Sequence, residues 1–197
     1  MKAKVKPNYL RITEETNALD YLIRAGDFIK ETENNKLAWK WVILSLHGAI
    51  YGFAICASQG TNYESVTYKT KKGFQKLISF DEALKRCQDK TKMKMLIHSQ
   101  YLILTDSQKQ SINFAKKELR NKFEHYIPSG WSIEIHGLPE IAIDLLDVIR
   151  FLAIETKTYI HLNQTQIKKL KSVVFQSKKI LKNSRLYKES IISMEKV

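Results

Sequence analysis

Arg120-Asn121-Lys122-Phe123-Glu124-His125 places an arginine, an amide and an imidazole within about one and a half turns of an expected helix. Such a set can do phosphodiester chemistry without a metal. The helix is read from LTDSQKQSINFAKKELRNKFEHYIP, opened by Thr105 or Asp106 as cap with Gln108 in the capping-box position, and closed before Pro128. Ile112, Ala115, Leu119, Phe123 and Tyr126 form its apolar stripe. At about 100° per residue, Asn121 and His125 fall together on the opposite side, with Phe114 beside them and Arg120 on the flank. The polar set therefore faces away from its own core. Taken alone, arginine, asparagine, glutamate and histidine in such a place are more often a solvated surface, so the spacing has to carry the argument.

Arginine followed directly by asparagine, with histidine five positions after the arginine, resembles the RNxxxH motif of the HEPN superfamily, small all-helical proteins many of which look like metal-independent RNases. Leu119 before the pair and Tyr126 after the histidine fit the same pattern. The resemblance covers this motif and a helical reading of residues 37 to 160. It implies an all-α, HEPN-like helical bundle and an endoribonuclease whose catalytic set is Arg120, Asn121 and His125, with Glu124 and Tyr126 as secondary candidates. In that reading His125 is the acid/base, because an imidazole can take the proton of a ribose 2′-hydroxyl or give one to the leaving 5′-oxygen. Arg120 offers a planar fork of donors to the non-bridging oxygens as negative charge builds on them. Asn121 either fixes the imidazole or donates to the phosphate. The nucleophile is the 2′-oxygen or water, and the products are a 2′,3′-cyclic phosphate or 3′-phosphate and a 5′-hydroxyl. The resemblance also implies a homodimer in which two motifs form one composite cleft, and Phe114 suits it as an apolar side chain that a monomer would leave wet. A toxin or antiphage effector acting on tRNA or mRNA, paired with a nucleotidyltransferase-like antitoxin, is the implied setting. The alternative is a non-catalytic module that binds RNA or a nucleotide.

The 197 residues, 44% of them hydrophobic, can bury one core. We read a helical domain over residues 1–164 and a basic amphipathic helix or tail over 165–197, packed on that domain or extending it. Seven glycines and three prolines leave little turn chemistry for a β-sandwich, so the expected class is all-α. Cys56 and Cys87 belong to no CxxC or Cys/His cluster; neither a disulfide framework, a metal site nor a cofactor is implied. A cytoplasmic home fits, and the basic N-terminus lacks the apolar stretch of a secretory signal.

Thr13 to Glu33 reads as a first helix with Leu19, Leu22, Ile23 and Phe28 inward, broken at Asn34-Asn35. Residues 37 to 57 approach the apolar length of a membrane span, but Lys40, Ser45 and His47 interrupt them. Trp39, Val42, Ile43, Leu46, Ala49, Ile50, Phe53 and Ala54 follow one wide face, which predicts a core helix and no membrane partner. His47 is read as a hydrogen-bonded core residue outside the site. Residues 60 to 76 read as a loop that binds substrate or merely connects. Ser79 and Glu82 make a capping box for a helix through Leu84 and Cys87, with Lys90, Lys92 and Lys94 near its end. Alternating Trp131, Ile133 and Ile135 favour a brief packed extended piece, with His136 as a secondary site candidate. Pro139 then opens a last core helix through Ile141, Leu145, Val148, Ile149, Leu152 and Ile160.

Thirty-three basic against 20 acidic residues leave a formal charge of +13, which attracts polyanions. Residues 165 to 197 supply +7 of it. There Lys168, Lys169, Lys171, Lys178, Lys179 and Lys182 surround an apolar stripe of Ile167, Leu170, Val174 and Leu181, as in a helix that packs on the body and grips RNA backbone. A solvated lysine face or an acidic protein partner fits the same charge. Lys117 and Lys122 join the RNA-contacting set beside the motif. Phe175 and Tyr187 are the only aromatics of that tail, which argues for phosphate contacts over base stacking.

Overall fold

The structure, a computed structural model, describes residues 8–124, 128 and 130–194; His125 and Tyr126 lie outside the described residues. With 67% helix against 3% strand, the chain belongs to the all-α class. Helix α1, Glu14–Glu31, begins where Thr13 and Thr16 cap each other reciprocally, and it buries Ala18, Leu19, Leu22, Ala25 and Ile29. Helix α2, Ala38–Gln59, carries the long apolar run and buries the face read from its spacing. Its apolar window is long enough for a bilayer, but 72% of that window is covered by the rest of the protein. The two helices approach through small residues, since a Cβ on Gly52 would stand 2.7 Å from the Cβ of Ala18.

Residues 60–76 are more structured than their weak periodicity predicts. A 3-10 turn, Tyr63–Val66, leads into an antiparallel hairpin of β1, Thr67–Lys69, and β2, Gln75–Leu77, with Tyr68 opposite Lys76. Gly73, at φ 81°, makes the turn that a Cβ would strain. Neither face of this ribbon is buried against the core, so no apolar alternation exists for the sequence to display. Helix α3, Phe80–Gln88, starts at Ser79, whose hydroxyl accepts from the Glu82 amide. Lys90 and Lys92 belong to a separate turn, α4, Lys90–Met93, because the Asp89 carboxylate offers a second cap to the Thr91 and Lys92 amides.

The motif helix opens with the expected capping box, Thr105 and Gln108 each bonding the other's backbone amide at 3.2 and 3.1 Å. It is not one uniform helix. After α5, Asp106–Phe114, residues Ala115–Arg120 are π-helical, and α6, Asn121–Glu124, follows. Asn121 N–H bonds the Lys116 carbonyl, five residues back, so the register after Phe114 departs from a straight helical wheel. Helix α7, Leu138–Arg150, carries Pro139 in its first turn and ends through a second π-helical segment, Phe151–Glu155; Ile160 packs on the core from the loop beyond instead of from the helix. Helix α8, Gln164–Asn183, is capped by Asn163 and Gln166 and buries Leu170, Val174 and Leu181 in the same core. A Cβ on Gly26 of α1 would stand 2.8 Å from Val173 of α8, a close approach that only glycine permits. Helix α9, Arg185–Met194, follows.

Candidate functional site

The motif helix is fixed at its first turns. Ser107 and Ser111 both donate to one carboxylate oxygen of Asp144 on α7, at 2.6 and 2.7 Å, while Ile112, Ala115 and Leu119 are buried. That anchor sets the π-helical segment against α2. Arg120 is consequently half-buried, with its side chain 32% exposed. Its Nη1 donates to Asn121 Oδ1 at 3.1 Å and its Nη2 pairs with Glu124 at 2.6 Å, while its Nε is buried without a hydrogen-bond partner among the described residues. A buried orphan donor of this kind costs about 1–3 kcal/mol.

The other wall comes from α2 and α3. The His47 ring stacks on Phe80, centroid to centroid at 4.3 Å and 14° between planes. The next residue, Asp81, pairs with Lys116 of the π-helical segment and so ties α3 to the motif helix. Burial pushes the His47 pKa down to about 4, and the positive charges of Arg120 and Lys116 push the same way, with Asp81 opposing them. The imidazole is therefore neutral at physiological pH. Among the described residues neither ring nitrogen has a hydrogen-bond partner, so His47 is not the satisfied core histidine its apolar surroundings in the sequence predict. Arg120's charge acts on it from an element far away along the chain, and no local signal carries that coupling. A histidine interrupting the apolar run was the one clue available.

Of the remaining candidates, Asn121 is half-buried with its oxygen on Arg120, and Glu124 is Arg120's partner. His125 and Tyr126 lie outside the described residues. Phe114 is 40% exposed, as the helical wheel predicts. Lys117 is exposed, whereas Lys122 pairs with Glu118 at 3.0 Å and sits 5.9 Å over the Trp131 ring. His136 is tied elsewhere: its Nδ1 bonds Glu134 at 2.5 Å and its Nε2 lies 3.3 Å from Glu189 on α9. The Glu134 hydrogen bond, supported by both carboxylate charges, raises its pKa.

The tail lysines divide among several surroundings. Lys178 is committed to both oxygens of Asp147, at 2.6 and 2.7 Å, a pairing with another helix that its own sequence neighbourhood does not announce. Lys171, Lys179 and Lys182 gather with Arg150 around Phe175, which is 65% exposed, along a groove of about 400 Å³. Lys169 lines a separate cleft beside Asp27 and Lys30 of α1, and Lys168 is exposed. A cavity of about 560 Å³ lies between α2, α3 and α4, lined by Arg86 and Lys92, away from the Arg120 site. Among the described residues no group of three or more His, Cys, Asp or Glu is placed to hold a metal ion. Cys56 and Cys87 are buried, and burial pushes both thiols up, that of Cys87 to about 12. Comparison of the chain with family models, curated proteins and solved structures finds no match.

Proposed function

We propose that this chain is a metal-independent endoribonuclease built on a HEPN-like helical bundle with a basic C-terminal helix, and that Arg120, Asn121 and His125, joined by His47 of α2, are its catalytic set. The observation that carries the reading is a half-buried arginine, bearing an unsatisfied donor, whose charge acts on a neutral imidazole from another helix. The Arg120 donors take the non-bridging oxygens of the scissile phosphate, and Glu124 is displaced as they do so. His47 accepts the proton of the 2′-hydroxyl while the 2′-oxygen forms its bond to phosphorus. His125, protonated, gives its proton to the 5′-oxygen as that bond breaks, leaving a 2′,3′-cyclic phosphate and a 5′-hydroxyl. Water then opens the cyclic phosphate to a 3′-phosphate. Phosphate bound at Arg120 relieves the repulsion on His47 and moves its pKa upward, toward the range useful for a base.

A homodimer joining two motifs across Phe114, a cytoplasmic setting, a tRNA or mRNA substrate and a nucleotidyltransferase-like antitoxin belong to the same proposal and rest on the motif's resemblance. The 2.6 Å Arg120–Glu124 pair favours one second reading, a module that captures RNA or nucleotide phosphate and performs no chemistry. The test is cleavage of total cellular RNA in EDTA by wild type and by His125→Ala, with the new ends mapped. Loss of an acid/base group lowers the rate on the order of 100-fold to 10,000-fold with RNA affinity kept. Equal cutting by both proteins, or none by either, leaves the binding module.

A further inference from the structure

Between Val66 and Ile78 the chain leaves the body as the β1–β2 hairpin, and its roots are fixed. Val66 and Ile78 are buried and bonded to each other, Tyr51 of α2 donates to the Ile78 carbonyl at 2.5 Å, and Arg86 of α3 donates to the Ser65 carbonyl. Beyond these roots the ribbon is open to solvent: Tyr68 is 52% and Phe74 67% exposed. Lys69, Lys71, Lys72 and Lys76 are exposed as well, residues 66 to 79 contain no acid, and none of the four lysines is ion-paired among the described residues. The register places Tyr68 directly opposite Lys76, and Phe74 two residues before Lys76, so both rings and that ammonium share one face. A two-stranded ribbon has no core of its own to bury such rings. Its second strand runs through Ile78 and Ser79 straight into Phe80 and Asp81, the residues set against His47 and Lys116. Lys76 is four residues from Phe80, hence within roughly 14 Å of it along the chain.

We infer that this hairpin is a binding arm for single-stranded RNA, holding the strand that flanks the phosphate at Arg120, with lysines on the backbone and Tyr68 and Phe74 stacked on unpaired bases. The inference rests on the reading of Arg120 as an RNA phosphate site and adds the substrate class, since stacked rings select an open strand over a duplex whose bases are already stacked. Fixed roots next to the site make the arm a guide for the strand that the site cuts.

The probe is a fluorescent 2′-O-methyl single strand, which lacks the attacking hydroxyl, titrated by anisotropy against the full chain. Three variants are compared: K69A/K71A/K72A/K76A, Tyr68→Leu and Phe74→Leu. All change solvent-facing side chains, and unchanged circular dichroism verifies folding. The lysine variant is expected to bind at least tenfold more weakly, with the salt slope flattened by about 0.7 for each phosphate left without its lysine. Each ring variant is expected to lose about tenfold on the single strand at unchanged salt slope, and little on duplex RNA. Wild-type affinity in the ring variants overturns the arm, as does an equal loss on polyglutamate or phosphatidylserine vesicles. Wild type that binds through the hairpin yet cuts no RNA retires the nuclease reading and keeps the arm. Hairpin variants that cut RNA with wild-type KM retire the arm and keep the nuclease.

Discussion

At His47, burial and a charge from another helix together set the chemistry of one side chain. Burial disfavours the protonated imidazole most, and the guanidinium's charge adds to that effect. The consequence for stability has a definite sign. The folded pKa of His47, about 4, lies below its ordinary 6.5, so the imidazole must be neutral to be buried. Its contribution is complete above pH 6.5 and is lost as pH falls from there through about 4, by at most about 3 kcal/mol. His47→Gln removes that titration while keeping a similar polar volume. In urea titrations the stability of the wild type is expected to fall more between pH 7 and pH 4.5 than that of the variant. Parallel falls in the two proteins would place His47 in water and dismantle the proposed base. The low pKa is not readable from residues 45 to 49, because the burial comes from packing of the whole core and the charges that add to it belong to Arg120 and Lys116.

At the scale of elements, the motif helix depends on a cap, an anchor and a change of winding. The cap was legible: Thr105 and Gln108 stand at the spacing that lets each satisfy the other's amide, and the structure has that exchange. The anchor was not, since Asp144 is more than thirty residues from the serines it accepts from. Asp144→Ala leaves Ser111, which is buried, without its acceptor, and a destabilisation of about 1–3 kcal/mol is expected from the urea midpoint. A change under a few tenths would mean that apolar packing alone seats the helix. The winding was invisible for a different reason. One i→i+5 segment changes no residue type, yet it shifts the helical register that Arg120 and Asn121 would have on a straight wheel. The predicted apolar stripe is nevertheless buried at Ile112, Ala115 and Leu119.

For the molecule as a whole, charge and exposed apolar surface are the quantities that decide association. A formal +13 repels a second copy at long range, so a homodimer needs an apolar contact to hold it against that repulsion. Phe114, 40% exposed, is the apolar side chain that the proposed homodimer would use. Phe114→Glu is therefore expected to give a folded monomer that cuts RNA at least tenfold more slowly if each site needs its partner. Sedimentation equilibrium at the assay concentration checks the association and the cleavage assay checks the consequence. A wild type that is monomeric and active there would remove the composite cleft and leave each chain to work with its own His47.

Local order decided what the residues could announce by themselves. Helical class, the buried face of α2, the caps of α1, α3 and α5 and the arginine-to-histidine spacing all depend on neighbours within a turn or two, where side-chain periodicity and backbone hydrogen bonding act directly. The tertiary structure alone decided that Arg120's charge would act on His47, that Lys178 would be spent on Asp147, that His136 would pair with α9, and that residues 67–77 would stand out as a ribbon rooted beside Phe80. Those outcomes join residues separated by tens of positions, and long-range electrostatics, stacking and packing become strong only after the core has excluded water and brought them together.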